Sequence, residues 1–226
     1  VRVLPHVWGP CFVEEATKAF PAVGLIVGYQ TGRIKKRLVS FEPCINLIKT
    51  CHIPMLCAEA AWRERQDLID VVFITNAEHL RDRLAFRTFA NALDICHARS
   101  DDGHPVCSFE PRWNTPYFMA AHGDICISHQ WVTVPNYSHL DLLHLGYPIV
   151  HNVPGMPGYY YDGFDAREGG RALIRALTTH DRRERLAEYA SEAKAFLADR
   201  LVTSRENVDA HCQAIAELMP VARMAA

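Results

Sequence analysis

The chain has 226 residues, about one and a half times the ~150 of an average domain, so it exceeds a minimal fold and falls short of two full ones. Apolar residues make up 49% and charged residues 22%, which excludes disorder, collagen and coiled coil as descriptions of the whole. Lysine plus arginine is 24 against 26 acidic residues, and a formal net charge of -2 gives no long-range field to gather nucleic acid or an anionic membrane, so neither is an expected partner.

In chain order, an opening loop with Pro5, Trp8, Gly9 and Pro10 leads into a short helix over Phe12 to Phe20, then an apolar run from Ala22 to Val27. Gly28, Gly32 and the basic group Arg33, Lys35, Lys36 and Arg37 turn into the first of several short β-branched runs. These runs are Leu38 to Phe41, Val71 to Ile74, Val106 to Phe109, Ile125 to Ser128 and Pro148 to Val150. Segments of helical period separate them: Ile45 to Arg65, kinked or broken at Pro54, then His79 to Leu93, Tyr117 to Ala121 and Tyr137 to Leu145. Strand, helix, strand in repetition predicts a doubly wound, Rossmann-like parallel sheet, because parallel neighbours need crossover connections. Beyond residue 165 the strands stop. Asp165-x-x-Glu168 and Thr203-x-x-Glu206 read as capping boxes, and a helical tail follows. The expected division is an entering segment over 1–36, a Rossmann-like domain over 37–165 and carboxyl-terminal helices over 166–226. The absence of an initial methionine suggests a piece of a longer protein.

Eight cysteines in a chain this long, with no C-x-x-C spacing and several inside apolar runs, point to free thiols and a reducing cytoplasm. No apolar run reaches the ~20 residues of a membrane span, and the first residues lack the order of a signal peptide.

Twelve histidines invite a metal reading, but His139 and His144 are five apart, and Cys51, His52 and Cys57 diverge around Pro54. No metal is expected. Ser128 has no flanking glycines to make a nucleophile elbow, and neither G-x-G-x-x-G nor G-x-x-x-x-G-K-[ST] occurs. Hydrolase, dehydrogenase and kinase readings weaken accordingly.

The segment from His129 to Asn152 is different. A strand delivers His129, Gln130 and Trp131 to its carboxyl end, where open α/β sheets bind ligands. Asn136 can cap the helix to Leu145, whose free amides suit a diphosphate, and Asp141 could accept from ribose hydroxyls. The competing reading is structural: Asn136 only caps, Asp141 is a solvated helix residue and His129 fills a strand end.

Leu140-Asp141-Leu142-Leu143-His144-Leu145-Gly146-Tyr147-Pro148-Ile149-Val150 resembles the nucleotide-binding signature of GT-B glycosyltransferases, a Leu-Glu-Ala helix followed by Gly-x-Pro-Val-Val. That resemblance implies that Asp141 holds the donor ribose. The signature often carries a glutamate eight residues earlier, near the sugar, where this sequence has Thr133. More widely, Phe41-Glu42-Pro43, Asn46, Lys49-Thr50, Pro54-Met55-Leu56, Ser128-His129-Gln130-Trp131, Asn136-Tyr137, His151-Asn152 and Gly158-Tyr159-Tyr160-Tyr161 resemble a bacterial domain-of-unknown-function family related to GT-B transferases. The resemblance implies the donor-binding, carboxyl-terminal half of a glycosyltransferase, with a nucleoside-diphosphate sugar as donor and a further Rossmann-like domain before it. No separate cofactor is implied. The residues expected at the donor are Glu42, Asn46, Lys49, His129, Asn136, Asp141 and Tyr160, with Lys49 beside the diphosphate. An α/β binding module that keeps the fold without transfer activity is the alternative, favoured by Thr133.

Overall fold

A computed structural model describes residues 3–46, 48–131 and 135–218; Thr133 lies outside them. Six strands form one parallel sheet: β1 (Lys36–Ser40), β2 (Ile69–Ile74), β3 (Cys107–Phe109), β4 (Ile125–Ile127), β5 (Ile149–His151) and β6 (Tyr159–Tyr160). Their order across the sheet is β3-β2-β1-β4-β5-β6, so the chain reverses its direction of travel between β1 and β4, which pair through Leu38 with Ile125 and Val39 with Cys126. The helices are α1 (Cys11–Thr17), α2 (His52–Arg65), α3 (Leu84–Ala90), α4 (Thr115–His122), α5 (Tyr137–His144), α6 (Ala166–Thr179), α7 (Arg183–Ala198) and α8 (Arg205–Leu218). This is the doubly wound α/β architecture read from the sequence.

Alternation along the strands feeds two cores. Leu38, Val72 and Ile125 meet Met55, Ala58 and Trp62 of α2 and Leu173 of α6. On the opposite face Val39 and Cys126 meet Phe118, Leu140, Tyr189 and Leu197. Glycine sets the approach of α6 to α2: a Cβ on Gly169 would stand 2.3 Å from Cys57 Sγ.

Three local expectations are corrected. The helix expected from Ile45 begins only at His52, so Pro54 falls in its first turn, where the missing N–H costs no intrahelical bond. His79 to Leu93 divides into a 3₁₀ turn at Glu78–Leu80 and α3. Beyond the last expected strand, Tyr159 and Tyr160 add an edge strand, β6, paired to β5 through Val150 with Tyr159. Asp165 caps α6 as expected, accepting from the amides of Arg167 and Glu168, whereas α8 starts after Ser204, whose hydroxyl accepts from Asn207 N at 3.4 Å.

Candidate functional site

The carboxyl ends of β1, β2 and β4 converge where the strand order reverses, the crevice in which open α/β sheets take ligands. A cleft of about 260 Å³ opens there, lined by Phe41 and Pro43 after β1, Thr75 and Asn76 after β2, Arg112 and Trp113 after β3, Thr115 at the start of α4, Asn136 and Ser138 at the start of α5, and Lys49. Asn76 is left-handed (φ 59), a conformation asparagine tolerates. Its amide bonds Pro111 O at 3.0 Å and its side chain donates to Pro43 O, so it ties the loops after β1 and β3 together.

Two cations face this cleft. Lys49 and Arg112 form no ion pair among the described residues, whereas at the sheet's opposite end Lys36 is paired with Asp181 at 2.7 Å and Arg37 with Asp124 at 3.2 Å. Asn46 does not line the cleft. Its Oδ1 accepts from the amides of Ile48 and Lys49, at 3.0 and 2.9 Å, and thereby shapes the loop that presents Lys49. Asn136 is the N-cap of α5, accepting from His139 N at 3.1 Å. The amino ends of α4 and α5 line the same cleft through Thr115, Asn136 and Ser138, and the partial positive charge of a helix start adds to that of the side chains.

Beneath the cleft lies a buried polar group. Glu42, 2% exposed, turns away from the opening. Its Oε1 accepts from Ser128 Oγ at 2.6 Å and from His129 N at 3.1 Å, while Oε2 has no partner among the described residues. Burial raises this carboxyl from the ordinary 4.5 to about 7, against the opposing pull of those hydrogen bonds and of the Lys49 charge. His139 Nε2 and Ser128 Oγ lie 2.7 Å apart, extending the chain of bonds into α5. Burial lowers the His139 imidazole to about 3, so it is neutral.

His129 is buried by Phe164 and Tyr161. Tyr161 Oη donates to Ser128 O at 3.1 Å, so the proton between Tyr161 Oη and His129 Nδ1, 3.0 Å apart, belongs to the imidazole. Nε2 is therefore an acceptor, and it has no partner among the described residues.

The expected residues thus divide. Lys49 and Asn136 share the cleft, and Glu42 and His129 share the buried group below it. Asp141 does not line the cleft: its Oδ1 accepts from Trp8 Nε1 at 2.8 Å, and burial raises its carboxyl. Tyr160 is exposed on the edge strand and donates to Asp162 at 2.9 Å. The tyrosine that reaches the site is Tyr161, whose Oη lies 3.0 Å from His129 Nδ1. Asn76, Arg112 and Trp113 were also missed; each follows the end of a strand, and that position was their available signal.

The family model described as "Protein of unknown function (DUF2827)" matches residues 1–215, and the chain belongs to that family. No curated protein matches the sequence. Among solved structures, a UDP-forming α,α-trehalose-phosphate synthase from Burkholderia xenovorans aligns at a TM-score of 0.67 and 15% identity, covering 97% of this chain and 52% of that one. The corresponding synthase from Burkholderia vietnamiensis gives 0.64 and 15%, covering 97% and 50%. TarM from S. aureus, in complex with UDP, gives 0.59 and 9%, covering 84% and 37%. The fold is therefore that of GT-B glycosyltransferases, and the chain spans about half the length of these synthases or less of TarM.

Proposed function

We propose that this chain is the donor-binding half of a nucleotide-sugar-dependent glycosyltransferase of GT-B type. The observation that carries the reading is the cleft at the strand-order reversal, where Lys49 and Arg112, without an ion pair among the described residues, meet the amino ends of α4 and α5. A nucleoside diphosphate carries negative charge that this arrangement matches, and the charge grows on the leaving oxygen as the bond to the sugar breaks. Two cationic side chains can meet that charge without an obligatory metal. The acceptor is held mainly by a partner domain, in keeping with relatives about twice as long.

Calorimetric titration with uridine, guanosine and thymidine diphosphates tests the reading. At least one should bind saturably, and Lys49→Ala or Arg112→Ala should each weaken it about tenfold or more, the scale of a lost charge-assisted hydrogen bond. A folded sample that binds none of them overturns it. The longer protein should then transfer or slowly hydrolyse the corresponding nucleotide sugar.

A further inference from the structure

Beside the cleft, the loops after β4, β5 and β6 are joined by one side chain. Asn152 accepts from Gln130 N at 2.7 Å and donates to Gln130 O at 2.8 Å and to Gly163 O at 3.1 Å. The residues following these two anchor points are aromatic and exposed. Trp131 is 44% and Phe164 49% accessible, and their rings meet edge to face at 5.1 Å. The Phe164 ring also lies 4.5 Å from that of His129, whose Nε2 is buried and has no partner among the described residues. Two large aromatic faces left in water beside an unsatisfied acceptor are costly for a fold to keep, and nothing in the packing of the two cores uses them.

We propose that Trp131 is the stacking face of a sugar-ring subsite, with Phe164 as a movable wall over His129. This deepens the donor-binding reading and rests on it for the identity of the sugar as the transferred one. A pyranose presents a patch of C–H groups that packs on an aromatic face and a rim of hydroxyls that donate hydrogen bonds. The Trp131 indole supplies the first partner and His129 Nε2 the second. Asn152 holds the Gly163 carbonyl, so the backbone stays in place, and the half-exposed Phe164 side chain is the part that turns about its own rotamers to uncover the imidazole. Because the acceptor is a neutral imidazole nitrogen held by Tyr161, it recognises a hydroxyl and disfavours a cation-seeking carboxylate, which fits an uncharged sugar.

Saturation-transfer NMR tests the subsite without relying on the nucleotide. The chain is mixed with methyl glycosides of glucose, galactose, mannose and N-acetylglucosamine in excess, and in a separate arm with nucleoside diphosphates alone. The wild type should transfer saturation to the ring C–H protons of at least one glycoside. Trp131→Ala should abolish that signal and Trp131→Phe should retain most of it, with unchanged circular dichroism, since the residue lies outside the core. No glycoside signal in the wild type, or an equal signal in Trp131→Ala, overturns the subsite. The nucleotide arm reads the donor-binding proposal separately: glycoside signals with no nucleotide signal would leave the subsite standing and remove the nucleotide reading.

Discussion

Glu42 is a carboxyl placed out of reach of water with only one of its oxygens satisfied among the described residues. Its folded value of about 7 stands above the ordinary 4.5, so the protein binds this proton more tightly folded than unfolded. The stability this contributes is complete below pH 4.5 and is lost as pH rises through 7, an interval worth on the order of 3 kcal/mol. Glu42→Gln keeps the acceptor for Ser128 Oγ and removes the charge. Urea denaturation at pH 5 and pH 8 should therefore show the variant gaining on the wild type at the higher pH; an equal difference at both would mean that Glu42 ionises without cost. The residue was legible in the sequence as an acid ending the first regular strand. Its orientation was not, because the partners that turn it inward, Ser128 and His129, lie far along the chain and meet it only through the sheet.

At the scale of the element, α5 shows how a cap and a binding surface can share one residue. Asparagine and aspartate are about equally good N-caps. Asn136→Ala should cost about 1 kcal/mol in a chemical melt, through loss of the bond to His139 N. Asn136→Asp should keep the stability and still lower nucleoside-diphosphate affinity about tenfold, because it sets a carboxylate beside the diphosphate that Lys49 and Arg112 attract. If calorimetry finds that affinity unchanged, the diphosphate does not sit at the start of α5. The cap was readable from Asn136 alone, since N-capping is local. The boundary of α2 was not. Ile45, Leu47, Ile48 and Cys51 keep a helical spacing, but Asn46 draws the amides of Ile48 and Lys49 into its own turn and Cys44 takes a left-handed backbone.

For the whole molecule, three buried histidines oppose Glu42. Burial lowers His139 to about 3 and His151 and His180 each to about 4, from the ordinary 6.5. All three are neutral when folded and take protons on unfolding below pH 6.5. Their contribution is present above 6.5 and falls as pH drops toward 4, by up to roughly 4 kcal/mol per pH unit where all three titrate together. Thermal melts from pH 8 to pH 4 should reach their maximum near neutrality and collapse on the acid side; a flat acid limb would show that the histidines are solvated. The doubly wound sheet was legible because its strands are short apolar runs at regular intervals. The sixth strand was missed because Tyr159 and Tyr160, flanked by glycines, are too few to show a period. Trp8 as the partner of Asp141 was beyond any local pattern.

Trp8 also carries a different kind of consequence. Its amide donates to Arg200 O at 2.6 Å and its carbonyl accepts from Val202 N at 2.9 Å, so a single parallel bridge joins the amino-terminal loop to the turn after α7. This seam closes a loop of nearly the whole chain, a contact with a large entropic cost of closure and little help to an early nucleus. In kinetic terms it belongs after the rate-limiting barrier: weakening it should speed unfolding and leave the refolding rate almost untouched.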